Sequence, residues 1–420
     1  MYEKHILDSG LKIIMHKMPQ VRSVSVVFFI AAGGCYETAE QSGMSHFIEH
    51  MCFKGTRERP TTREITEAIE GTGGMINGGT DKELTVYWSR VAGKHLRLAL
   101  DVLTDIVRFS RFDSEDIDKE RRVILEEINM NYDSPQQRAD TLLYDLMWPG
   151  QPVGRDVAGF KHTVQSFSRL DMYDFYVNHY VPAGMVVSIA GDMDSREVLD
   201  ILDEKCLGWE NTRCVKRLHS ISLQGEPRIK MEYRDIEQVQ LSLGFHGLSL
   251  LSPDRFAVDL LNVILGDGMS SRLFLEVREK YGLAYDIGSG VDHYLDAGDI
   301  MVHSGLEPEH MGEAMEVIMQ QLSVIRSNVL EHELARAKEL VKGRMFLAME
   351  SPHGVANWYG AQEILTGKIL DVDAIASLVD AVTVNDLHRV AGELIREEKV
   401  NLVVVGPLKE ENDLRRILKL

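Results

Sequence analysis

Apolar and polar positions follow two distinct patterns along the first half of the chain. Short runs that are apolar or alternate with a period of two, bounded by turn residues, predict strands; they occupy residues 5–18, 21–34, 75–91 and 184–194. Apolar positions three and four residues apart predict amphipathic helices; these occupy residues 42–53, 61–71, 92–110 and 113–134. Thr61, followed by Glu64, forms a start of the capping-box type. The first half is therefore predicted to mix strands and helices.

The second half repeats this order of elements. Predicted strands lie at 227–247, 299–306 and 400–408, and predicted helices lie at 252–266, 270–282, 309–327 and 332–350. Both halves end on a valine-rich strand that is followed by a turn containing glycine. This parallel indicates an internal duplication. A polar stretch at 208–226 separates the halves, and we place two domains at 1–210 and 227–420 with a linker at 211–226.

Composition and charge narrow the classes of function. A net charge of -19 on 420 residues argues against binding to nucleic acid or to anionic membranes, because both require clustered positive charge. No apolar run approaches the roughly 18 residues of a membrane span, and the start of the chain lacks a signal or transit pattern. Four cysteines without a CxxC motif suit a reducing compartment. We therefore expect a cytoplasmic protein without a membrane segment.

The segment "GMSHFIEHMCFKG" at 43–55 carries the candidate chemistry of the first half. His46 and His50 are four residues apart, so they project from one face of the predicted helix, and Glu49 flanks that face. This HxxEH order is the inverse of the HExxH motif of zinc peptidases, in which the glutamate serves as general base. The competing interpretation is a helix with two hydrogen-bonded core histidines.

A zinc site of this kind needs a third protein ligand on another element. The long predicted helix at 113–134 offers Glu120 and Glu127, which are seven residues apart and lie on one helix face. The residues alone leave open which of the two binds the metal. We expect Val123 and Ile124, which lie between them, to face inward. In the second half, the helix at the corresponding position has neither histidine, so only the first half can hold this site.

Several motifs together resemble those of the pitrilysin and mitochondrial processing peptidase family of zinc peptidases, the inverzincins. The family pattern is HxxEH followed by a glutamate after about 76 residues, and here 76 residues separate His50 from Glu127. The resemblance spans both halves and also rests on "FKGT" at 53–56, "GGMINGGTDKELTVY" at 73–87, "ERRVILEEI" at 120–128, "PVGRDVAG" at 152–159 and "GDGMSSRLFLEVREKYGLAY" at 266–285.

This resemblance implies a fold and a metal site. The implied fold is α+β with two homologous halves, each a mostly antiparallel β-sheet packed against helices. The first half is then the zinc-binding catalytic domain, and the second lacks the metal motif and supplies substrate contacts. His46, His50 and Glu127 would bind one Zn²⁺ per chain. Glu49 would be the general base, and Glu120 a second acidic residue that supports the site. The alternative for Glu120 is an outer salt-bridge partner of an arginine or lysine.

The resemblance also implies substrate contacts in both halves. Asn77 and Gly78 match an Asn-Ala-x-Thr edge strand on which a substrate peptide pairs as an added strand, with Gly78 in place of the usual alanine. Their alternative interpretation is a simple Asn-Gly β-turn. Arg278 and Tyr285 match an Arg/Tyr pair that the family's second half brings to the zinc site, where it would hold the scissile carbonyl. An ordinary surface arginine and a core tyrosine are the alternative.

The function implied is that of a zinc-dependent metalloendopeptidase with a processing-peptidase-like, enclosed chamber. It would cleave unfolded peptides or presequence-like segments by attack of a zinc-bound water, with Glu49 as base. Family members of this length form dimers, and because this chain carries both the zinc motif and the Arg/Tyr pair, we expect a homodimer. The net charge motivates the hypothesis that basic peptides are preferred. The alternatives are a non-catalytic structural subunit, like the core proteins of the respiratory cytochrome complex, and a peptide-binding dimer.

Overall fold

The computed structural model describes residues 2–209, 214–408 and 418. Residues 211–213 of the predicted linker lie outside this range. In the described part of the chain, the strands form one six-stranded and one five-stranded sheet. The strands are β1 (Glu3–Ile6), β2 (Lys12–Lys17), β3 (Ser23–Ile30), β4 (Met75–Thr80), β5 (Thr85–Ala92), β6 (Met185–Gly191), β7 (Arg228–Tyr233), β8 (Val239–His246), β9 (Ala284–His293), β10 (Gly298–Leu306) and β11 (Asn401–Gly406).

Helices cover these sheets and connect their strands. The α-helices are α1 (Met44–Cys52), α2 (Thr62–Glu70), α3 (Leu96–Phe109), α4 (Ser114–Asp133), α5 (Pro135–Met147), α6 (Lys161–Ser166), α7 (Arg169–His179), α8 (Ser195–Cys206), α9 (Arg255–Leu265), α10 (Met311–Ile325), α11 (Glu331–Ala348), α12 (Pro352–Thr366), α13 (Val372–Ala381) and α14 (Val384–Leu394). A π-helix at Phe274–Lys280 and several short 3₁₀ turns complete the described elements. The predicted cap of α2 is confirmed, because the Thr61 hydroxyl accepts a hydrogen bond from the Glu64 backbone. Within the described residues, no helix has both the length and the apolar character of a membrane-spanning segment.

The two sheets have the same order of strands. The first sheet runs β1-β2-β6-β3-β5-β4, and the second runs β7-β11-β8-β10-β9. In each sheet one neighbouring pair is parallel, β2 with β6 and β7 with β11, and the other neighbours are antiparallel. Apart from β1, each strand of the first sheet thus has a counterpart at the same place in the second. The predicted α+β class and its duplicated, mostly antiparallel sheets are confirmed.

The chain folds into two compact units, and each includes a segment from outside its own part of the sequence. As far as its residues are described, the first comprises Met1–Ile128, Asp156–Leu218 and Phe346–Leu370. The second comprises Asn129–Arg155, His219–Met345 and Asp371–Leu420, as far as these residues are described. The exchanged segments carry α12 in the first unit and α5 in the second. The sequence boundaries at 210 and 227 stay a prediction about the extent of the duplicated halves.

In the first unit, side chains pack on both faces of the sheet. Val24, Val26 and Phe28 of β3 belong to the large core that also contains Phe47 of α1. Phe29, on the opposite face, packs in a second cluster with residues of α12. A strand that is covered on both faces reads as a continuous apolar run, which explains the "VSVVFFI" sequence of β3.

Two details differ from the sequence-based expectation. Residues 75–91 form a hairpin of two strands, β4 and β5, rather than one strand with a glycine-rich start. The expectation that Val123 faces inward is wrong, because its side chain is 44% exposed, whereas Ile124 is fully buried. Most positions of α4 carry charged or polar side chains, and its buried residues are Ile117, Glu120 and Ile124, so the buried face of this helix is narrow.

Candidate metal centre

The helix that carries the HxxEH motif begins at a buried carboxylate. Glu37 is almost fully buried, and its two oxygens accept hydrogen bonds from the backbone N–H groups of Gly43, at 2.9 Å, and of Ser45, at 2.7 Å. A negative charge at this end of a helix is favoured by the helix dipole and satisfies two donors that have no partner within the helix. Gly43 has φ of 95°, a left-handed conformation that glycine adopts without strain. Glu37 therefore fixes the first turn of α1.

From this helix, two imidazoles converge on one carboxylate of α4. The Nε2 atoms of His46 and His50 lie 3.7 and 3.8 Å from Oε2 of Glu127. One ligand atom from each of the three side chains can be chosen so that all lie within 4.8 Å of one another. The side chains are 17%, 19% and 37% exposed, so the cluster opens to solvent on one side. This convergence on a shared point does not fit two histidines that are hydrogen-bonded within a core.

Glu120 lies on the other side of His50. Its Oε2 is 3.0 Å from Nδ1 of His50, and its Oε1 is 2.6 Å from Nζ of Lys54. A carboxylate can only accept a hydrogen bond, so this contact places the proton of a neutral His50 on Nδ1 and leaves the Nε2 lone pair towards Glu127. Burial raises the pKa of Glu120, but the bonds from His50 and Lys54 outweigh it and lower the pKa below its usual value. Glu120 is thus ionised and orients His50.

Glu49 contacts strand β4. Its Oε2 accepts a hydrogen bond of 2.9 Å from the hydroxyl of Thr80. Burial raises the pKa of Glu49, and this effect exceeds the opposing influence of His50 and Thr80. A carboxylate with a raised pKa takes up a proton more readily near neutral pH, which suits a general base. Thr80 is the threonine of the Asn-Ala-x-Thr pattern, but the sequence predicted no role for it, because its contact with Glu49 depends on how β4 packs against α1.

The two histidines differ in their affinity for protons. Burial, and then the neighbouring His50, lower the pKa of His46 to about 4, so His46 is neutral at pH 7. Burial also lowers the pKa of His50, but Glu120 and the other nearby carboxylates raise it above the usual value on balance. Three carboxylates, those of Glu49, Glu120 and Glu127, lie around the two histidines. A cation at the cluster would offset the cost of holding these charges in a partly buried place.

The cluster fits a zinc ion by its donor types and spacing. Zinc prefers imidazole nitrogen and carboxylate oxygen in tetrahedral sites with bonds of about 2.0 to 2.2 Å, which puts neighbouring ligand atoms about 3.3 Å apart. The His46 and His50 contacts with Glu127 exceed this separation by a few tenths of an ångström. Three protein ligands also leave the fourth position free, as in catalytic zinc sites. The assignment of His46, His50 and Glu127 as zinc ligands stays a prediction that this geometry supports.

Strand β4 forms the edge of the first sheet beside this cluster. Asn77 and Gly78 lie inside β4, and the strand reverses direction only after Thr80, so the interpretation as an Asn-Gly turn is wrong. The side-chain oxygen of Asn77 accepts a hydrogen bond from the backbone N–H of Gly78 at 2.9 Å. A cavity of about 270 Å³ lies between β4 and the motif helix. It is lined by Glu49, His50, Phe53, Lys54, Thr66, Ile76, Asn77 and Glu120.

Arg278 and Tyr285 lie together in the second compact unit. The Arg278 guanidinium carbon is 5.4 Å from the centre of the Tyr285 ring and 4.9 Å from that of Phe274. Arg278 lies on the π-helix, and Tyr285 lies on β9 with 80% of its side chain exposed. The alternative of a core tyrosine is therefore wrong. The action of this pair on a substrate at the metal cluster stays a prediction.

Comparison with known proteins gives matches over both halves. A family model described as "Insulinase (Peptidase family M16)" matches residues 12–160, and one described as "Peptidase M16 inactive domain" matches residues 166–341. All three residues of the metal cluster, including Glu127, lie within the first match. The description of the second agrees with the lack of the histidine motif in α9.

Relatives and solved structures agree with these matches. The chain is 32% identical to an "Uncharacterized zinc protease" of Mycobacterium leprae, over 99% of this chain and 94% of that protein. It is also 32% identical to the "Uncharacterized zinc protease YmxG" of Bacillus subtilis, over 97% and 98% of the two chains. The crystal structure of a protease from Helicobacter pylori has the same fold, with a TM-score of 0.91 and 22% identity over 97% and 99% of the chains. The chain therefore belongs to peptidase family M16, the pitrilysin family.

Proposed function

We propose that this protein is a zinc-dependent metalloendopeptidase that cleaves extended peptides. The observation that carries the proposal is the convergence of His46, His50 and Glu127 on one point, with Glu49 on the same helix and held by Thr80. A protein that only stabilised an assembly would gain nothing from a partly exposed cluster of this kind. The zinc-protease names of its relatives support the same conclusion.

Each residue at the cluster has its own role in the proposed reaction. When bound, zinc would supply a Lewis acid that makes a water more acidic and polarises the scissile carbonyl. Glu49 accepts the proton of the attacking water and gives it to the amine that leaves. Its raised pKa favours the first transfer, and its bond to Thr80 fixes the carboxylate while the proton moves. Glu120 keeps His50 in the tautomer and orientation that binding requires.

Strand β4 supplies the place where a peptide would bind. It is an edge strand, so its outer backbone groups can pair with an extended peptide, as in binding by β-strand addition. Pairing through the main chain is tolerant of sequence, which suits an enzyme that acts on unfolded segments. Asn77 and Gly78 lie at the centre of β4, next to the cavity that contains Glu49. We infer that the peptide binds here.

The proposal extends to the assembly. Two copies of the chain would enclose a chamber, in which Arg278 and Tyr285 hold the carbonyl of the bond that is cut. Their exposure and mutual contact support a role in binding, since an arginine beside a phenol offers several hydrogen-bond donors. A chamber admits unfolded peptides and excludes folded proteins by size. The net charge of -19 motivates a preference for basic peptides.

Zinc content and peptide cleavage, measured for wild type and Glu49→Gln, test this function. We expect the variant to keep its zinc, because Glu49 is not a ligand, and to lose at least about a hundredfold in kcat, the usual contribution of a general base. Unchanged cleavage in Glu49→Gln would remove the proposed base. Wild type that binds zinc and peptides without cleaving them would be a peptide-binding protein, and wild type without zinc would fit a structural subunit.

A further inference from the structure

A second cavity of the first compact unit lies between α3, α8 and the loop that follows α1. Its volume is about 340 Å³, and it shares no lining residue with the cavity that contains Glu49. Four of its lining residues are acidic and three are basic, so charges of both signs reach it. The full lining is Arg57, Glu58, Asp101, Thr104, Asp105, Arg108, Phe109, Glu204, Lys205 and Leu207.

Two guanidinium groups of this cavity lie against the same aromatic ring. The guanidinium carbon of Arg57 is 3.7 Å from the centre of the Phe109 ring, and that of Arg108 is 4.8 Å from it. Burial lowers the pKa of Arg108, and the nearby charge of Arg57 lowers it further. Arg108 donates hydrogen bonds to the backbone carbonyls of Lys205 and of Leu207, but among the residues that the structure describes neither guanidinium forms an ion pair with a carboxylate. Two such charges near each other favour an anion that contacts both.

Asp105 supplies an unused hydrogen-bond acceptor in the same cavity. Its side chain is only 3% exposed. Oδ2 accepts hydrogen bonds from the hydroxyl of Thr56 and from Arg59 at 3.0 Å, whereas Oδ1 has no partner in the described part of the chain. The neighbouring Thr104 is 1% exposed, and its hydroxyl also lacks a partner within the described ranges. Because a buried polar atom without a partner costs free energy, a ligand that brings N–H groups is favoured here.

The two kinds of group are spaced for a small molecule that carries both charges. Asp105 and Arg108 are three residues apart on α3, so they lie on one helix face and are separated by about 4.5 Å along its axis. The other charges between these helices are already paired, since Asp101 accepts hydrogen bonds from both Arg59 and Lys205. An ammonium and a carboxylate on the same carbon atom can therefore contact Asp105 and Arg108 at once.

We propose that this cavity is a binding site for a free α-amino acid. The ammonium group donates a hydrogen bond to Oδ1 of Asp105, and the carboxylate accepts hydrogen bonds from Arg57 and Arg108. A simple anion would leave the Asp105 carboxylate without a donor, and a simple amine would leave the two guanidinium charges without a partner. The inference goes beyond the proposed peptidase function, because binding here requires neither zinc nor the cleavage of a peptide bond.

Thermal unfolding of the full-length protein with each of the common L-amino acids tests the inference. A ligand that binds only the folded state raises Tm, so at least one amino acid should do so, and calorimetric titration should give one site per chain. That amino acid is then compared with two analogues, one without the α-amino group and one without the carboxylate. Each analogue should bind at least about tenfold more weakly, because it loses charge-assisted hydrogen bonds. If no amino acid binds, or if the analogue without the amino group binds equally well, the inference is overturned.

Variants then locate the site. Arg57→Gln should weaken binding of the amino acid, and of the analogue without the amino group, about tenfold, since both lose a contact to the carboxylate. Asp105→Asn should weaken binding of the amino acid alone and so abolish its advantage over that analogue. Arg63→Gln is the matched control, because Arg63 is an exposed arginine of the same unit that pairs with Glu67 outside the cavity, and it should bind as wild type does. Arg57 is exposed, so its variant keeps the inference testable if Asp105→Asn does not fold, and unchanged binding in Arg57→Gln would overturn the proposed site.

Discussion

His50 contacts both Glu127 and Glu120, the two glutamates of α4 that face the proposed metal site. His50 uses Nε2 towards Glu127 and Nδ1 towards Glu120, and Lys54 balances the charge of Glu120 at 2.6 Å. A second contact of this kind fixes the ring of a ligand and raises its basicity. Glu120 and Lys54, which lie outside the metal cluster, are thus arranged to make His50 a better ligand than an unsupported imidazole.

At this scale we predict that Glu120→Gln weakens zinc binding without abolishing it. The amide can still accept the Nδ1–H bond of His50 but carries no charge, and the loss of such a partner costs about 10- to 100-fold in metal affinity. Competition with a chromogenic chelator measures the affinity. Asp118→Asn, on an exposed position of the same helix, is the control and should bind zinc as wild type does. Equal affinity in Glu120→Gln would show that Glu120 does not support the site.

The different roles of Glu120 and Glu127 could not be predicted from their spacing. Both face α1, and their separation of seven positions corresponds to about 10 Å along a helix. Which of them meets the Nε2 atoms depends on how α1 and α4 pack, and this is set by contacts between elements far apart in sequence. The pair of histidines, in contrast, is a local feature of one helix, so its shared face could be predicted from the four-residue spacing alone.

Among the elements, α12 shows how a distant helix completes the first unit. It packs on β3 and β6, where Gly360 allows a close approach to the sheet. A methyl group on Gly360 would lie 2.1 Å from Cε2 of Phe29 and 2.8 Å from Cβ of Ser188. The second unit has a related contact in which the glycine lies on the strand, since a methyl group on Gly244 would be 2.7 Å from Sδ of Met147 in α5. Small residues thus fix the packing of both exchanged helices.

We predict that Gly360→Ala destabilises the protein by about 1–3 kcal/mol, the usual cost of overpacking a tight core. The midpoint of urea unfolding, followed by circular dichroism, measures the change. Gly392→Ala is the matched control, because Gly392 also lies inside a helix, α14, but a methyl group there would meet nothing within 4 Å. That change should stabilise α14 by up to about 1 kcal/mol, since alanine favours helix over glycine. A Gly360→Ala protein as stable as wild type would contradict the close packing of α12.

Most individual elements could be predicted from periodicity and capping, but their grouping could not. The continuous apolar run of β3 indicates a strand that is covered on both faces, yet nothing in it identifies α12 as the cover, more than 300 residues later in the chain. Similarly, α5 follows α4 after a single residue and still packs with the strands of the second sheet. Local patterns determine helices and strands, whereas such exchanges depend on which surfaces fit each other.

For the whole molecule, the duplication explains why one metal site per chain is expected. The two sheets share their strand order, and α9 occupies the place of α1 after the corresponding strands. Where α1 has two histidines and a glutamate, α9 has "RFAVDLLNVIL", with Asp259 as its only carboxylate. Among the described residues, the cluster of His46, His50 and Glu127 is the one group of potential ligands close enough for a metal ion. The second half keeps the fold but lacks the metal-binding histidines.

The most direct test of this account is the zinc content of the purified protein, measured by mass spectrometry of the metal after dialysis against zinc, together with its rate of peptide cleavage. Glu127→Gln and Glu126→Gln are compared with wild type, because these neighbours on α4 differ in that only Glu127 reaches both histidines. We predict one zinc per chain and full activity in wild type and Glu126→Gln, and loss of both in Glu127→Gln. Wild type without zinc, or Glu127→Gln with unchanged zinc and activity, would contradict the proposed metal centre.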